Sequence, residues 1–165
     1  MTEILLQKLV STSGDNLDSS RISRESMFML IARIISLRGT CNRGGRTGAV
    51  IVKDNRIVSM GYAGSPPGLP HCLDLGCDID EITGGCIRTQ HAEANAIAWA
   101  AREGIAVRNT IMYVTLQPCL SCAKMVVMAG IKSVLYHTEY RDNRGSDYLK
   151  AANVSILRFS KIEME

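Results

Sequence analysis

Two short groups of residues have the types and spacing that metal chemistry needs. Cys119 and Cys122 lie three positions apart, and His91 lies two positions before Glu93. Zinc binds nitrogen and thiolate sulfur in a tetrahedron, and a catalytic zinc takes three protein ligands so that the fourth position can hold water. We therefore predict that His91, Cys119 and Cys122 bind a catalytic zinc ion.

The local sequence places both groups at the starts of helices. Residues 91–104 are rich in alanine and strongly helical, and they begin with the histidine. The two cysteines fall on the first turn of a helix predicted over residues 119–130, where Pro118 suits a helix start because no donor is needed there. The positive ends of both helix dipoles would then point at the ion and stabilise the thiolates.

Glu93 is predicted to be the proton carrier of this site. Residues two apart on a helix do not share a face, so Glu93 is not expected as a fourth ligand beside His91. Placed over the open position, its carboxylate can take a proton from water and return it to a ring nitrogen and then to a leaving amine.

Taken together, the two groups predict hydrolytic deamination. The pattern H-x-E followed by P-C-x-x-C is a known signature of zinc-dependent deaminases. Each motif alone is weak, and the alternative is a surface histidine, an ordinary helix glutamate and two buried cysteines. Their conjunction at two helix starts favours catalysis.

The rest of the chain predicts the elements that position these groups. Residues 49–53 and 56–62 have the pattern of two strands around a tight Asp54-Asn55 turn. A helix is predicted between a Ser23 cap and a Gly39 terminator. The later strands are predicted at residues 110–116, 131–136 and 154–159, and a short helix at residues 147–152. Alternating strands and helices predict an α/β fold with three layers, α/β/α, around a mostly parallel five-stranded sheet.

Composition limits the organisation and the partners of the chain. The 165 residues, of which 46% are hydrophobic, predict one domain over residues 23–165 after an N-terminal arm at residues 1–22. A net charge of +3 and a single tryptophan do not favour binding to nucleic acid.

No secretory signal or membrane span is recognised, so we expect a cytoplasmic protein, in the host cytoplasm if the source is viral. In a reducing compartment, the six cysteines are expected to be metal ligands or free thiols.

Several stretches resemble the deoxycytidylate (dCMP) deaminases of the cytidine deaminase superfamily, and the resemblance covers about residues 24–160. The stretches are GAVIVKDNRIVSMGYAGSPPGLPHC (48–72), CIRTQHAEANAI (86–97), YVTLQPCLSCAKMVVMAGIKSVLY (113–136) and the tyrosine at Tyr140. The resemblance implies a cytidine-deaminase-like fold with a mixed sheet, and conversion of dCMP and water to dUMP and ammonia for thymidylate synthesis. It also implies a homo-oligomer, commonly a hexamer, that dCTP activates and dTTP inhibits.

One motif departs from the pattern of that family. Where the family usually has G-Y-N-G, this chain has Gly61, Tyr62, Ala63 and Gly64. The departure removes an amide that could bind the sugar or an effector nucleotide, while the metal ligands are unaffected. Gln117, in the sequence TLQPC, is given no predicted role.

The four remaining cysteines predict a second metal site. Three of them lie within residues 64–90, a long stretch without periodicity that needs something to hold it together. Four thiolates make a closed structural zinc site, with His71 as a possible substitute for one of them. The resemblance also implies a second zinc, bound in similar deaminases by cysteines matching Cys41 and Cys72. The alternative is that all four are free buried thiols. The predicted ligands are Cys41, Cys72, Cys77 and Cys86.

A nucleotide phosphate needs cationic side chains or backbone donors. Arg43 and Arg46, in a glycine-containing loop before the first strand, are candidates, as are Arg141 and the backbone at Ser65. Tyr140 is a candidate to cover the pyrimidine or contact the phosphate. The alternatives are solvated surface arginines and a tyrosine that only packs.

Two other functions remain open from the sequence. Deamination of another substrate, such as a nucleoside or a cytosine or adenine base in a nucleic acid, is one. A polymer substrate would call for a basic groove with stacking aromatic residues, which are sparse here. The other is a non-catalytic binding module stabilised by zinc, which would have no need of Glu93.

Overall fold

Five strands form one mixed sheet in the computed structural model, which describes residues 21–41 and 46–159. In the order β2-β1-β3-β4-β5, β1 is antiparallel to both of its neighbours and the last two pairs are parallel. Four strands therefore run in one direction, which confirms the predicted mixed, mostly parallel sheet. The strands are β1 (Gly48–Lys53), β2 (Arg56–Tyr62), β3 (Ile111–Leu116), β4 (Ser133–Thr138) and β5 (Ser155–Arg158).

Helices cover both faces of this sheet. The helices are α1 (Arg24–Ser36), the single-turn α2 (Cys72–Leu75), α3 (Ala92–Arg102), α4 (Leu120–Met128) and α5 (Arg144–Ala151). On one face, α1 packs through Phe28 and Met29 against Val50 and Tyr113. On the other face, the buried side chains of α3, α4 and α5 pack against Ile51 and its neighbours. Adjacent residues of β1 thus enter different cores, and the predicted three-layer architecture is confirmed.

The predicted hairpin is present between β1 and β2. Asp54 and Asn55 both adopt left-handed backbone angles, with φ values of 47° and 60°. Asp and Asn tolerate this region better than other residues with a side chain, which is why the dipeptide predicts the turn.

Some element boundaries differ from the prediction. Residues 131–132 were predicted to belong to β4, but the Ile131 N–H donates to the Val126 carbonyl and completes the end of α4. Gly130, at φ 72°, allows this reversal, and β4 begins two residues later, at Ser133. Helix α1 likewise ends at Ser36, before the predicted terminator Gly39. Helix α5 starts at Arg144, earlier than predicted.

The stretch over residues 64–90 is folded back on itself. Gly64 and Gln90 exchange backbone hydrogen bonds of 3.2 and 2.9 Å, which bring the two ends of the stretch together. Across the described residues, no helix combines the length and the hydrophobicity that crossing a membrane requires. Apart from residues 21 and 22, the predicted arm at residues 1–22 lies outside the described residues.

Candidate active site

The three predicted zinc ligands meet at the starts of two helices. His91 and Cys119 are the N-cap residues of α3 and α4, and neither side chain caps its own helix. Instead, His91 Nδ1 lies 3.4 Å from the sulfur of Cys119 and 3.4 Å from that of Cys122. The three ligand atoms all lie within 4.8 Å of one another. An imidazole and two thiols at this spacing can contact one common ion.

Two glycines allow neighbouring elements to pack directly against these helix starts. A Cβ placed on Gly61 of β2 would lie 2.5 Å from the Ala92 carbonyl oxygen, at the start of α3. A Cβ on Gly145 of α5 would lie 2.9 Å from the carbonyl carbon of Cys119. Real Cβ atoms do not approach that closely, so each helix start is positioned by backbone contact with a neighbouring element.

The thiols at this site ionise unequally. A hydrogen bond from the Cys122 thiol, supported by His91, lowers the pKa of Cys119 to about 4. The same hydrogen bond, together with burial, raises the pKa of Cys122. Contact with Cys119 in turn raises the pKa of His91. At neutral pH, Cys119 is therefore expected to be a thiolate, and a bound divalent cation would favour ionisation of Cys122 as well.

Glu93 is a buried carboxyl beside this group. Glu93 is 5% exposed, and burial raises the pKa of its carboxyl to about 6. It lines the same cavity as His91 and Cys119, as expected for a carboxyl that acts on a molecule bound there. A pKa near neutrality suits a group that must both accept and release a proton.

A cavity of about 390 Å³ opens in front of Glu93. Two of the predicted substrate-binding residues, Tyr140 and Arg141, line it. The Arg141 guanidinium lies 5.5 Å from the centre of the Tyr140 ring, and its Nη2 donates to the Thr83 carbonyl at 3.2 Å. An aromatic ring and a cation therefore stand side by side at a cavity wall.

Two of the other predicted phosphate contacts, Arg46 and Ser65, do not line this cavity. Arg46 donates from Nη1 to the Leu37 carbonyl at 3.3 Å and does not line it. Ser65 is 8% exposed and also lies outside the lining. Arg43 lies outside the described residues. The predicted contacts of Arg46 and Ser65 therefore find no support in the cavity geometry.

Four thiols form a second cluster. The sulfurs of Cys41, Cys72, Cys77 and Cys86 all lie within 4.8 Å of one another. The Cys41–Cys77 and Cys72–Cys86 sulfur distances are 3.7 and 3.5 Å, and these four cysteines are not in disulfides. His71 is not part of this cluster, because its Nδ1 pairs with the Thr40 hydroxyl at 3.3 Å. Four sulfurs at this spacing fit a closed zinc site.

This thiol cluster borders the cavity. Cys41 and Cys86 line it together with the catalytic candidates. Burial opposes ionisation of Cys86, but hydrogen bonds from Thr89 and the local backbone outweigh it and lower its pKa to about 6. Burial raises the pKa of Cys72. Two of the four predicted zinc ligands of the second cluster are thus also part of the cavity wall.

Two lining residues had no predicted contact with the substrate. Ala63, 7% exposed, presents a methyl group where the related pattern has an asparagine. Gln117 is 3% exposed, and its side-chain oxygen accepts a hydrogen bond from the Tyr140 N–H at 2.9 Å. Because these two residues are 23 positions apart, the sequence offered no signal for the contact.

Helix starts that present one imidazole and two thiols to a buried carboxyl define the class of zinc-dependent deaminases. The chain belongs to the cytidine and deoxycytidylate deaminase family, because the sequence model of that family's zinc-binding region matches residues 22–138.

Relatives and solved structures agree with this assignment. The chain is 38% identical to ComE operon protein 2 of Bacillus subtilis over 145 residues, covering 87% of this chain and 75% of that protein. It is 34% identical to the deoxycytidylate deaminase of Schizosaccharomyces pombe over 94% of this chain, but spans 50% of that protein's length. A crystal structure of dCMP deaminase from the cyanophage S-TIM5, in complex with dCMP and dUMP, matches with a TM-score of 0.73. The identity is 30%, over 82% of this chain and 96% of that one.

Proposed function

We propose that the chain catalyses the hydrolytic deamination of dCMP to dUMP and ammonia, the reaction that supplies dUMP for thymidylate synthesis. The observation that carries this proposal is the meeting of His91, Cys119 and Cys122 beside buried Glu93 at the cavity. The substrate assignment is supported by relatives named deoxycytidylate deaminase and by the matching phage enzyme solved with dCMP and dUMP.

In this proposal, His91 Nδ1 and the sulfurs of Cys119 and Cys122 hold the zinc ion. When bound there, zinc supplies Lewis-acid chemistry that makes water a nucleophile at neutral pH. The Glu93 carboxylate takes a proton from the attacking water and delivers it to the pyrimidine ring nitrogen. It then transfers a second proton from the water to the amine, which leaves as ammonia while the ring carbon keeps the oxygen.

The nucleotide itself is held by the residues around the cavity. Tyr140 offers an aromatic face on which a pyrimidine can pack, and Arg141 offers a cation for the phosphate. To bind phosphate with all its donors, Arg141 would give up its hydrogen bond to the Thr83 carbonyl. This exchange would couple nucleotide binding to the position of the loop that carries Thr83.

A substrate panel tests this function. Zinc-loaded protein is offered cytidine, CMP, dCMP, dCTP and a cytosine-containing oligonucleotide, and absorbance follows the loss of the amine. We expect dCMP to have the highest kcat/KM. Preference for cytidine would contradict the phosphate contact, and conversion of the oligonucleotide alone would move the assignment to polymer substrates.

We also propose that Cys41, Cys72, Cys77 and Cys86 bind a second, structural zinc ion. The close spacing of their sulfurs supports this, since four sulfurs within 4.8 Å of one another can all contact one tetrahedral zinc ion. Elemental analysis is expected to find about two zinc ions per chain, one for each ligand group.

Matched serine variants separate the two ions. Cys77→Ser is expected to lose about one zinc ion per chain while the other ligand group stays loaded. Cys119→Ser is expected to lose the other ion, with complete loss of turnover. A wild-type content of one ion, or an unchanged content in the Cys77→Ser protein, would contradict a metal in the thiol cluster.

The proposed assembly is a homo-oligomer, with a hexamer expected from the family resemblance, and the proposed effectors are dCTP and dTTP. Ala63 bears on the second point, because a methyl group cannot make the hydrogen bonds of an amide. Light scattering tests the assembly, and initial rates with each nucleotide test the effectors. A monomer at assay concentration would contradict the first proposal, and rates unchanged by either nucleotide would contradict the second.

A further inference from the structure

Gln117 lies in the wall of the cavity. It directly follows β3 and lies two residues before Cys119. Its backbone N–H donates to the Thr138 carbonyl at 2.8 Å, and its side chain lines the cavity. Backbone contacts therefore hold this residue in place at the end of the sheet, beside the proposed catalytic group.

The orientation of the Gln117 amide is fixed by its partner. Its Oε1 accepts a hydrogen bond from the backbone N–H of Tyr140 at 2.9 Å. A backbone N–H can only donate, so the oxygen rather than the nitrogen of the amide must face Tyr140. The amide nitrogen, Nε2, and its two hydrogens consequently point away from Tyr140.

Nε2 of Gln117 has no acceptor among the described residues. Nε2 is also not fully buried. Among the described residues, the one fully buried side-chain N or O atom without a hydrogen-bond partner is Ser65 Oγ. Since Gln117 is 3% exposed and lines the cavity, the accessible part of its side chain lies on the cavity. The unused donors of this amide are therefore available to a molecule in the cavity that can accept from them.

We propose that Gln117 is a substrate-binding residue whose Nε2 donates to an uncharged oxygen of the nucleotide. This inference rests on the proposed function. The acceptor is an oxygen that dCMP and dUMP share, namely pyrimidine O2 or a sugar oxygen, because the exocyclic amine of cytosine is a donor and the phosphate is assigned to Arg141. A contact that is present in both substrate and product strengthens binding more than it accelerates the chemical step.

Gln117→Glu tests the contact, because the new side chain keeps its size and an acceptor for the Tyr140 N–H. Once ionised, it offers no donor. At roughly pH 8.5, well above the ordinary pKa of glutamate, we expect KM for dCMP to rise about tenfold and dUMP affinity, by calorimetry, to fall about tenfold. The change in kcat is expected to be smaller, with the melting temperature within about 2 °C of wild type.

Two further variants secure the interpretation. Asn109→Asp makes the same amide-to-acid change in an exposed turn and is expected to leave KM and dUMP affinity unchanged. Gln117→Met keeps the length of the side chain but lacks both the donor and the acceptor for the Tyr140 N–H, so it is expected to weaken dUMP binding at least as much as Gln117→Glu, and unchanged binding in it would overturn the contact. Competition by 2-deoxyribose 5-phosphate identifies the oxygen: weakened competition in the variants indicates the sugar, and unchanged competition indicates pyrimidine O2.

A purely structural role for Gln117 predicts a different outcome. The Gln117→Glu protein would then bind dUMP as wild type does, because the hydrogen bond from Tyr140 is kept, and that result would overturn the proposed contact. If wild-type protein neither converts dCMP nor binds dUMP, the proposed function fails instead. Wild-type turnover therefore separates the two failures.

Discussion

At the scale of single residues, the proposed chemistry depends on three side chains that can contact one ion and on a buried carboxyl at the same cavity. His91, Cys119 and Cys122 meet as their helix-start positions predicted. Glu93 lines the same cavity as His91 and Cys119, and residues two apart on a helix do not share a face. The substrate contacts were harder to predict, since Gln117 meets Tyr140 only after β3 and β4 have paired.

Replacing Glu93 by glutamine tests its role as proton carrier. The amide keeps the shape of the carboxyl but cannot accept and release a proton. We expect kcat for dCMP to fall at least about a hundredfold, with zinc content unchanged. Turnover assays and elemental analysis of the same preparation check this, and activity retained in the Glu93→Gln protein would rule out the proposed proton transfer.

At the scale of elements, helix starts and the hairpin could be predicted, but helix ends and close packing could not. Asp54-Asn55 carries its own turn preference, so the hairpin was confirmed. The boundary at Ile131 was wrong because its N–H bonds back to α4, a choice that β-branched character does not reveal. The approach of α5 to Cys119 at Gly145 likewise depends on how two helices pack.

Gly145→Ala tests that packing. The added methyl group would collide with the backbone at Pro118 and Cys119, where α4 begins. We expect the free energy of unfolding to fall by about 1–3 kcal/mol and zinc affinity to fall with it, because the thiols of α4 move. Urea denaturation and zinc titration measure the two effects.

Gly85→Ala is the matched control for this substitution. A Cβ on Gly85 would meet the Thr83 hydroxyl at 3.4 Å, an ordinary contact. We expect its stability to change by no more than about 0.5 kcal/mol. Equal destabilisation by both substitutions would show that close packing at Gly145 is not the cause.

At the scale of the whole molecule, composition and alternation predicted one α/β unit with three layers, and the sheet and helices confirm that architecture. The sequence also indicated that residues 64–90 needed an internal support. It could not place that support beside the cavity, because the position of Cys41 relative to Cys86 depends on the complete fold.

Metal removal is expected to destabilise the whole molecule. An ion that binds the folded chain more tightly than the unfolded chain adds to stability, so a strong chelator should lower the melting temperature by at least about 5 °C. Calorimetry with and without chelator measures this. In the Cys72→Ser protein the chelator is expected to have a smaller effect, and an equal effect would place the stabilising ion elsewhere.

Cys41 and Cys86 of the thiol cluster line the same cavity as His91, a proposed ligand of the catalytic zinc. If both proposed zinc ions bind, zinc shortage would impair catalysis in two ways, because it would empty the proposed catalytic site and remove the metal that supports the cavity wall at Cys41 and Cys86. As the zinc concentration falls, enzyme activity should then decline more steeply than zinc occupancy of the catalytic site, so the rate of dUMP formation would depend strongly on zinc supply.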